Sequence, residues 1–138
     1  MIKQGKGSEK PCIGTIVNLS SIAAQRTQAE LMAFSVSCAA MDQMTRSLAV
    51  SLAPERVRVN AVAFGSVMSA SLKDHLKQHP DQREAILAAT PQGRIAGPME
   101  VAEAVQFLAS DSSAFVTGEI LTVDGGRSLI DAVSTSLH

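Results

Sequence analysis

The chain contains no tryptophan and no tyrosine, and its aromatic content is four phenylalanines in 138 residues. Phenol chemistry is therefore excluded anywhere in it, and little ring surface is present on which bases or sugars stack. An excess of one charge is also missing. Lys and Arg number 12 against 13 Asp and Glu, for a formal net charge of -1, and the basic residues form no long cluster. That balance argues against nucleic acid as a partner. No stretch approaches the ~20 apolar residues of a membrane-spanning helix, and Met1–Lys10 lacks the apolar core of a signal peptide. The two cysteines, Cys12 and Cys38, form neither a metal or redox spacing nor a disulfide framework. The expectation is a cytoplasmic chain with no membrane partner.

What is present suits one domain over residues 1–138, because apolar residues make up 46% and suffice for a core. Ile13 to Leu19 is apolar and β-branched and reads as a buried strand. A helix is expected from about Leu31 to Leu52, with Phe34, Cys38, Met41, Met44, Leu48 and Leu52 on one face and Pro54 as its stop. The Met41/Met44 pair at helical spacing reads as core packing. Val57 to Ala63 alternates around Arg58 and Asn60 and reads as a second strand, followed by Gly65. Met68 to Thr90 is helical but broken at Pro80, so two short helices are expected. Pro91–Gly93 and Gly97-Pro98 make a loop. Met99 to Ala109 forms a helix with Val101, Ala104, Val105 and Leu108 inward. Glu119 to Val123 is a third strand, turned by Asp124–Gly126, and the tail beyond Arg127 is weakly specified. Strands alternating with helices imply an α/β fold of three parallel strands with right-handed crossovers. So thin a sheet leaves the first strand with an edge that invites pairing with another chain.

Four segments, in this order and spacing, resemble the C-terminal half of a short-chain dehydrogenase/reductase: Gly14–Ser21, Phe34–Ala49, Val57–Ala63 and Ile120–Gly126. The resemblance implies a truncated Rossmann-like fold that lacks the N-terminal dinucleotide-binding half. The start of the chain then corresponds to the end of the helix before the family's fifth strand. No glycine-rich strand-turn-helix is found, and Gly5-Lys6-Gly7, with no strand before it, reads as a polar arm.

The family's chemistry is NAD(P)-dependent carbonyl/alcohol oxidoreduction, in which a Tyr phenol moves the proton and a Lys four residues later lowers its pKa. Phe34 stands at the Tyr position and Cys38 at the Lys position. Phe34 has no ionisable proton, so the ~10²–10⁴ in rate that positioned proton transfer supplies is expected to be lost. Cys38 reads as a small core hydrophobe. Ser21, thirteen positions before Phe34, matches the substrate-oxygen Ser, although a hydroxyl capping a strand end reads equally well. Gly65 and Val67 match backbone positions that face the nicotinamide amide, and Ser69 a polar contact residue. Phe64 replaces the usual Pro in that turn. Asn60 and Asp124 match positions that hold loops, and Met68–Thr90 matches the segment that shapes the substrate pocket.

Asp74, His75 and His79 include an i,i+4 His pair, which reads as a solvated helix face, and no metal site is expected. The helix Leu31–Leu52 and the segment Met99–Val123 match surfaces with which the family builds dimers and tetramers. A homo-oligomer, or a hetero-oligomer with a reductase-like chain, is therefore expected. The leading expectation is an associating subunit or truncated homologue that is inactive alone and does not bind NAD(P) alone. The alternatives are an oxidoreductase half completed by a separate N-terminal chain and a fragment of a longer NAD(P)-binding protein.

Overall fold

The computed structural model describes Gly7 and residues 9–131. The Gly5-Lys6 part of the polar arm and the last residues of the tail lie outside them. Three strands, β1 (Gly14–Ser21), β2 (Val57–Phe64) and β3 (Ile120–Val123), form one parallel sheet in the order β1-β2-β3. Four helices flank it: α1 (Met32–Leu52), α2 (Ala70–Gln78), α3 (Pro80–Ala88) and α4 (Pro98–Ala109). The sequence-based boundaries agree within about two residues, as helix and strand ends commonly do. Pairing runs in register from Gly14 beside Val57 to Ser21 beside Phe64, and from Ala61 beside Ile120 to Phe64 beside Val123. All three strands therefore end together, and their C-terminal ends lie side by side.

Two expectations are corrected. β1 is not a buried strand: only Ser20 along it is buried, and Leu19 is 57% exposed. The reason is its place at an edge of the sheet, with β2 on one side only among the described residues. The central β2 is buried from Val57 through Ala63, including the polar Arg58 and Asn60.

The second correction concerns α1. The helix keeps the expected period, but its buried face is displaced by one residue. The buried positions are Ser35, Cys38, Asp42, Thr45 and Ala49, each except Cys38 one residue after the expected apolar one. Phe34 is 49% and Met44 45% exposed, so Met44 is not core, and Met41 is half-buried. Small and hydrogen-bonding residues win this face because the helix lies close on the sheet. Asn18 on β1 donates from Nδ2 to Thr45 Oγ1 at 2.9 Å, and Ser20 Oγ donates to the Cys38 carbonyl at 3.5 Å. A row of Phe, Met and Leu would hold the backbones apart.

α4 follows the expectation. Val101 and Leu108 join Val62 in a buried apolar cluster, with Ala104 and Val105 packed around it. Its N-terminus is closed by Glu100, whose Oε2 accepts from the Gly97 N–H at 2.8 Å. From β2, the Arg58 guanidinium donates to the carbonyls of Leu108, Ser110 and Val116 and to Ser113 Oγ. Asn60 donates to the Val116 carbonyl at 2.9 Å and accepts from the Glu119 N–H at 3.0 Å. These two side chains pin the segment that carries the chain from α4 to β3.

Candidate active-site cleft

Parallel strands that end together leave a crevice at their C-terminal ends, the usual ligand position in such sheets. Here it is a cleft of about 680 Å³. Ser21 at the end of β1, Gly65 and Ser66 just past β2, and Phe34 in the first turns of α1 share its lining. α3 walls the far side through Gln82, Ala85 and Ile86.

Three of the six residues singled out from the sequence thus meet. Ser21 Oγ accepts from the Ala23 N–H at 3.1 Å and so caps a short 3-10 turn over Ile22–Ala24. It faces the cleft and also performs the capping that the bland reading assigns it. Phe34 offers a half-exposed ring. Gly65 donates its N–H to the Val123 carbonyl at 3.1 Å, and a Cβ there would lie 3.1 Å from Asp124 Cβ, so the close approach of β3 favours glycine.

The other three lie outside the lining. Cys38, 7% exposed, points to the sheet side of α1. Val67 forms an isolated bridge with Ala96, and its carbonyl accepts from the Ser69 N–H at 2.7 Å. Ser69 Oγ caps α2 by accepting from the Leu72 N–H at 3.2 Å.

Sequence reasoning missed two cleft residues, Arg26 and Arg127. Arg127 Nη1 donates to Ser66 Oγ at 2.7 Å, and Arg26 Nη2 donates to the Ser128 carbonyl. No local spacing signals them, because the two come from opposite ends of the chain and meet only after the sheet forms.

Beside this cleft lies a second hollow of about 590 Å³ lined by Thr90, Gln92, Arg94, Glu100 and Asp124. Asp124 Oδ1 accepts from the Gly126 N–H at 2.9 Å and Oδ2 from the Ser128 N–H at 2.7 Å, holding the turn after β3. Burial pushes its carboxyl up, but the bonds from Ser128 and Gly126 and the Arg127 charge outweigh this and leave it below the ordinary value. A depressed folded pKa stabilises the fold above the unfolded value of about 3.9, and that contribution is lost as pH falls through the folded pKa. Asp124→Asn is therefore expected to melt below the parent at neutral pH, with the gap closing below about pH 4. Thermal melts across pH check this, and an unchanged gap would assign the loss to something other than the charge. Glu100 is held at about 2 by its hydrogen bond from Arg94 and that from the Gly97 N–H.

The rings of His75 on α2 and His79 just past it lie 4.5 Å apart, and His75 Nε2 meets Gln82 Oε1 on α3 at 2.8 Å. Asp74 is paired with Lys77 instead. No group of three or more possible metal ligands occurs among the described residues. No helix among them is long and apolar enough to cross a membrane.

A dinucleotide does not fit the residues present as a complete site. Among the described residues no glycine-rich turn joins a strand to a helix; the paired glycines Gly125 and Gly126 lead into a three-residue 3-10 turn. The Ser69 hydroxyl and the Gly65 N–H are engaged in the fold itself.

The model of the enoyl-(acyl carrier protein) reductase family matches residues 2–128. Cis-4-hydroxycyclohexanecarboxylate dehydrogenase of Sinomonas cyclohexanicum is 44% identical over 120 residues, which make up 85% of this chain and 46% of that protein. The ligand-free aldohexose dehydrogenase of Thermoplasma acidophilum superposes with a TM-score of 0.80 at 32% identity, over 88% of this chain and 50% of that one. A 7α-hydroxysteroid dehydrogenase in complex with NADH and 7-oxo glycochenodeoxycholic acid gives 0.79 at 31% identity, over 91% and 46%. The chain spans about half the length of the relatives it matches.

Proposed function

Since the chain belongs to the short-chain dehydrogenase/reductase family, we propose that it is a non-catalytic member that works by association, with NAD(P)-dependent carbonyl/alcohol oxidoreduction as its parent chemistry. The observation that carries this is Phe34 lining the cleft beside Ser21 while Cys38 is turned into the sheet-facing side of α1. At the two positions where the reaction needs a phenol and an ammonium, the cleft receives an apolar ring and no side chain at all. Proton transfer then has no donor on α1, and the ~10²–10⁴ it supplies is absent.

Association is supported by the outer face of α1. Met32, Val36 and Val50 are 70%, 64% and 77% exposed, apolar side chains that a partner would cover together with the polar Gln43 and Ser47 between them. The partner is a second copy or a reductase-like chain, and the setting is cytoplasmic. A second reading, an oxidoreductase half or fragment completed by further polypeptide, is favoured by Leu19 standing 57% exposed on the edge strand. It does not supply the missing phenol.

The test restores the two side chains. Phe34→Tyr with Cys38→Lys in the 138-residue chain is expected to give no NAD(H)- or NADP(H)-dependent turnover, and calorimetry no saturable nucleotide binding. The reason is that no phosphate-holding turn between a strand and a helix occurs among the described residues. Turnover by the variant, or a low-micromolar Kd, would show a cofactor site less damaged than this, and cofactor-dependent turnover by the unaltered chain would overturn the reading.

A further inference from the structure

The charges around the cleft are one-sided. Two guanidiniums, Arg26 and Arg127, line it, and none of the described lining residues is an Asp or Glu. The rest of its wall is largely apolar, with Ile22, Phe34, Ile86 and Ile130. A guanidinium carries five N–H donors in a planar fork, so the bonds from Arg26 to Ser128 and from Arg127 to Ser66 leave donors for a ligand. Asp124 interacts with the Arg127 charge. Its two oxygens are already held by the Gly126 and Ser128 N–H groups, and it lines the neighbouring hollow instead.

From this we infer that the cleft binds a small apolar monocarboxylate, its carboxylate on Arg26 and Arg127 and its hydrocarbon body against Phe34 and the isoleucines. Planar two-oxygen anions match the guanidinium fork and form charge-assisted bonds, the stronger kind. A cation finds no counter-charge among these residues, and a bare inorganic anion leaves the apolar wall wet. The volume of about 680 Å³ lies in the range of small-molecule pockets. The inference deepens the proposed function by giving the same cleft a ligand class, and it requires neither a nucleotide nor turnover.

Calorimetry on the full chain without nucleotide tests it, with phenylacetate, its neutral isostere phenylacetamide, and inorganic phosphate as probes. Phenylacetate is expected to bind saturably at one site per chain, and the amide and inorganic phosphate at least about tenfold more weakly, as loss of a charged hydrogen-bond partner implies. Arg26→Gln and Arg127→Gln are each expected to weaken phenylacetate about tenfold or more and to leave the amide unchanged. Arg127→Lys, which keeps the charge, should recover part of the loss. Thermal unfolding of each variant identifies any that fails to fold, and Arg26, being exposed, provides the independent arm. Equal binding of the amide, inorganic phosphate binding as tightly, indifference to both Gln variants, or no saturable phenylacetate binding would each overturn the ligand class. None of those results bears on catalysis. Cofactor-dependent turnover would overturn the non-catalytic reading and leave this one standing.

Discussion

Replacing Arg58 with Met is expected to lower the unfolding free energy by about 2–4 kcal/mol, a large share of the ~5–15 kcal/mol typical of a domain. Arg58 is 7% exposed, and its guanidinium gives four hydrogen bonds of 3.0–3.2 Å to the Leu108–Val116 segment. Met keeps the volume and the stem packing, so the loss reports the bonds rather than a cavity. Two opposing effects bound the number. The Leu108 carbonyl still accepts from Thr15 Oγ1, the Ser110 carbonyl from the Ser113 N–H, and Val116 from Asn60, so no acceptor is wholly orphaned. Removing a buried charge also relieves its desolvation cost. The net remains unfavourable because charge-assisted bonds exceed neutral ones. Urea unfolding checks it: a lower midpoint with an unchanged slope is expected, and a loss under about 1 kcal/mol would mean the network is redundant.

Leu108→Ala should cost about 3–5 kcal/mol. Leu108 is 0% exposed and completes the cluster with Val62 and Val101 that fastens α4 to the sheet. A small core has few neighbours able to collapse into the space left behind, so the cavity contribution adds to the lost transfer energy. Two outcomes separate the causes. If the substitution also frees the segment pinned by Arg58, the double variant will lose less than the sum of the two singles. Strict additivity would mean that helix packing and the guanidinium network act independently.

Element types and order were legible because each depends on local pattern. The β-branched runs, Pro54 and Pro80 as breaks, and the Asp124–Gly126 turn located the strands and helices within a residue or two. What was not legible depends on neighbours. The α1 period follows from the sequence, but its phase is set by how closely the helix approaches β1 and β2, and there Thr45 and Asp42 displace Met44 and Met41. Burial of β1 could not be read, since its composition suits a central strand and its position is at an edge. In the cleft, Ser21, Phe34 and Gly65 were found through the resemblance and do meet, whereas Cys38, Val67 and Ser69 stay outside its lining. Arg26 and Arg127 were missed because only tertiary structure brings them to one cleft.

The edge position of β1 has a consequence for amide exchange. In a parallel pair only alternate N–H groups of a strand point to its neighbour. With β2 on one side alone among the described residues, alternate amides from Gly14 to Ser21 should exchange slowly and quickly in turn. Along β2, flanked by β1 and β3, protection should be continuous over Ala61–Phe64, where both ladders run. Any strand that docks on the open side, whatever its source, would slow the fast members of β1 and erase the two-residue rhythm. The amide hydrogens of this one strand therefore act as a built-in reporter of whether, and along how many residues, the sheet has been extended.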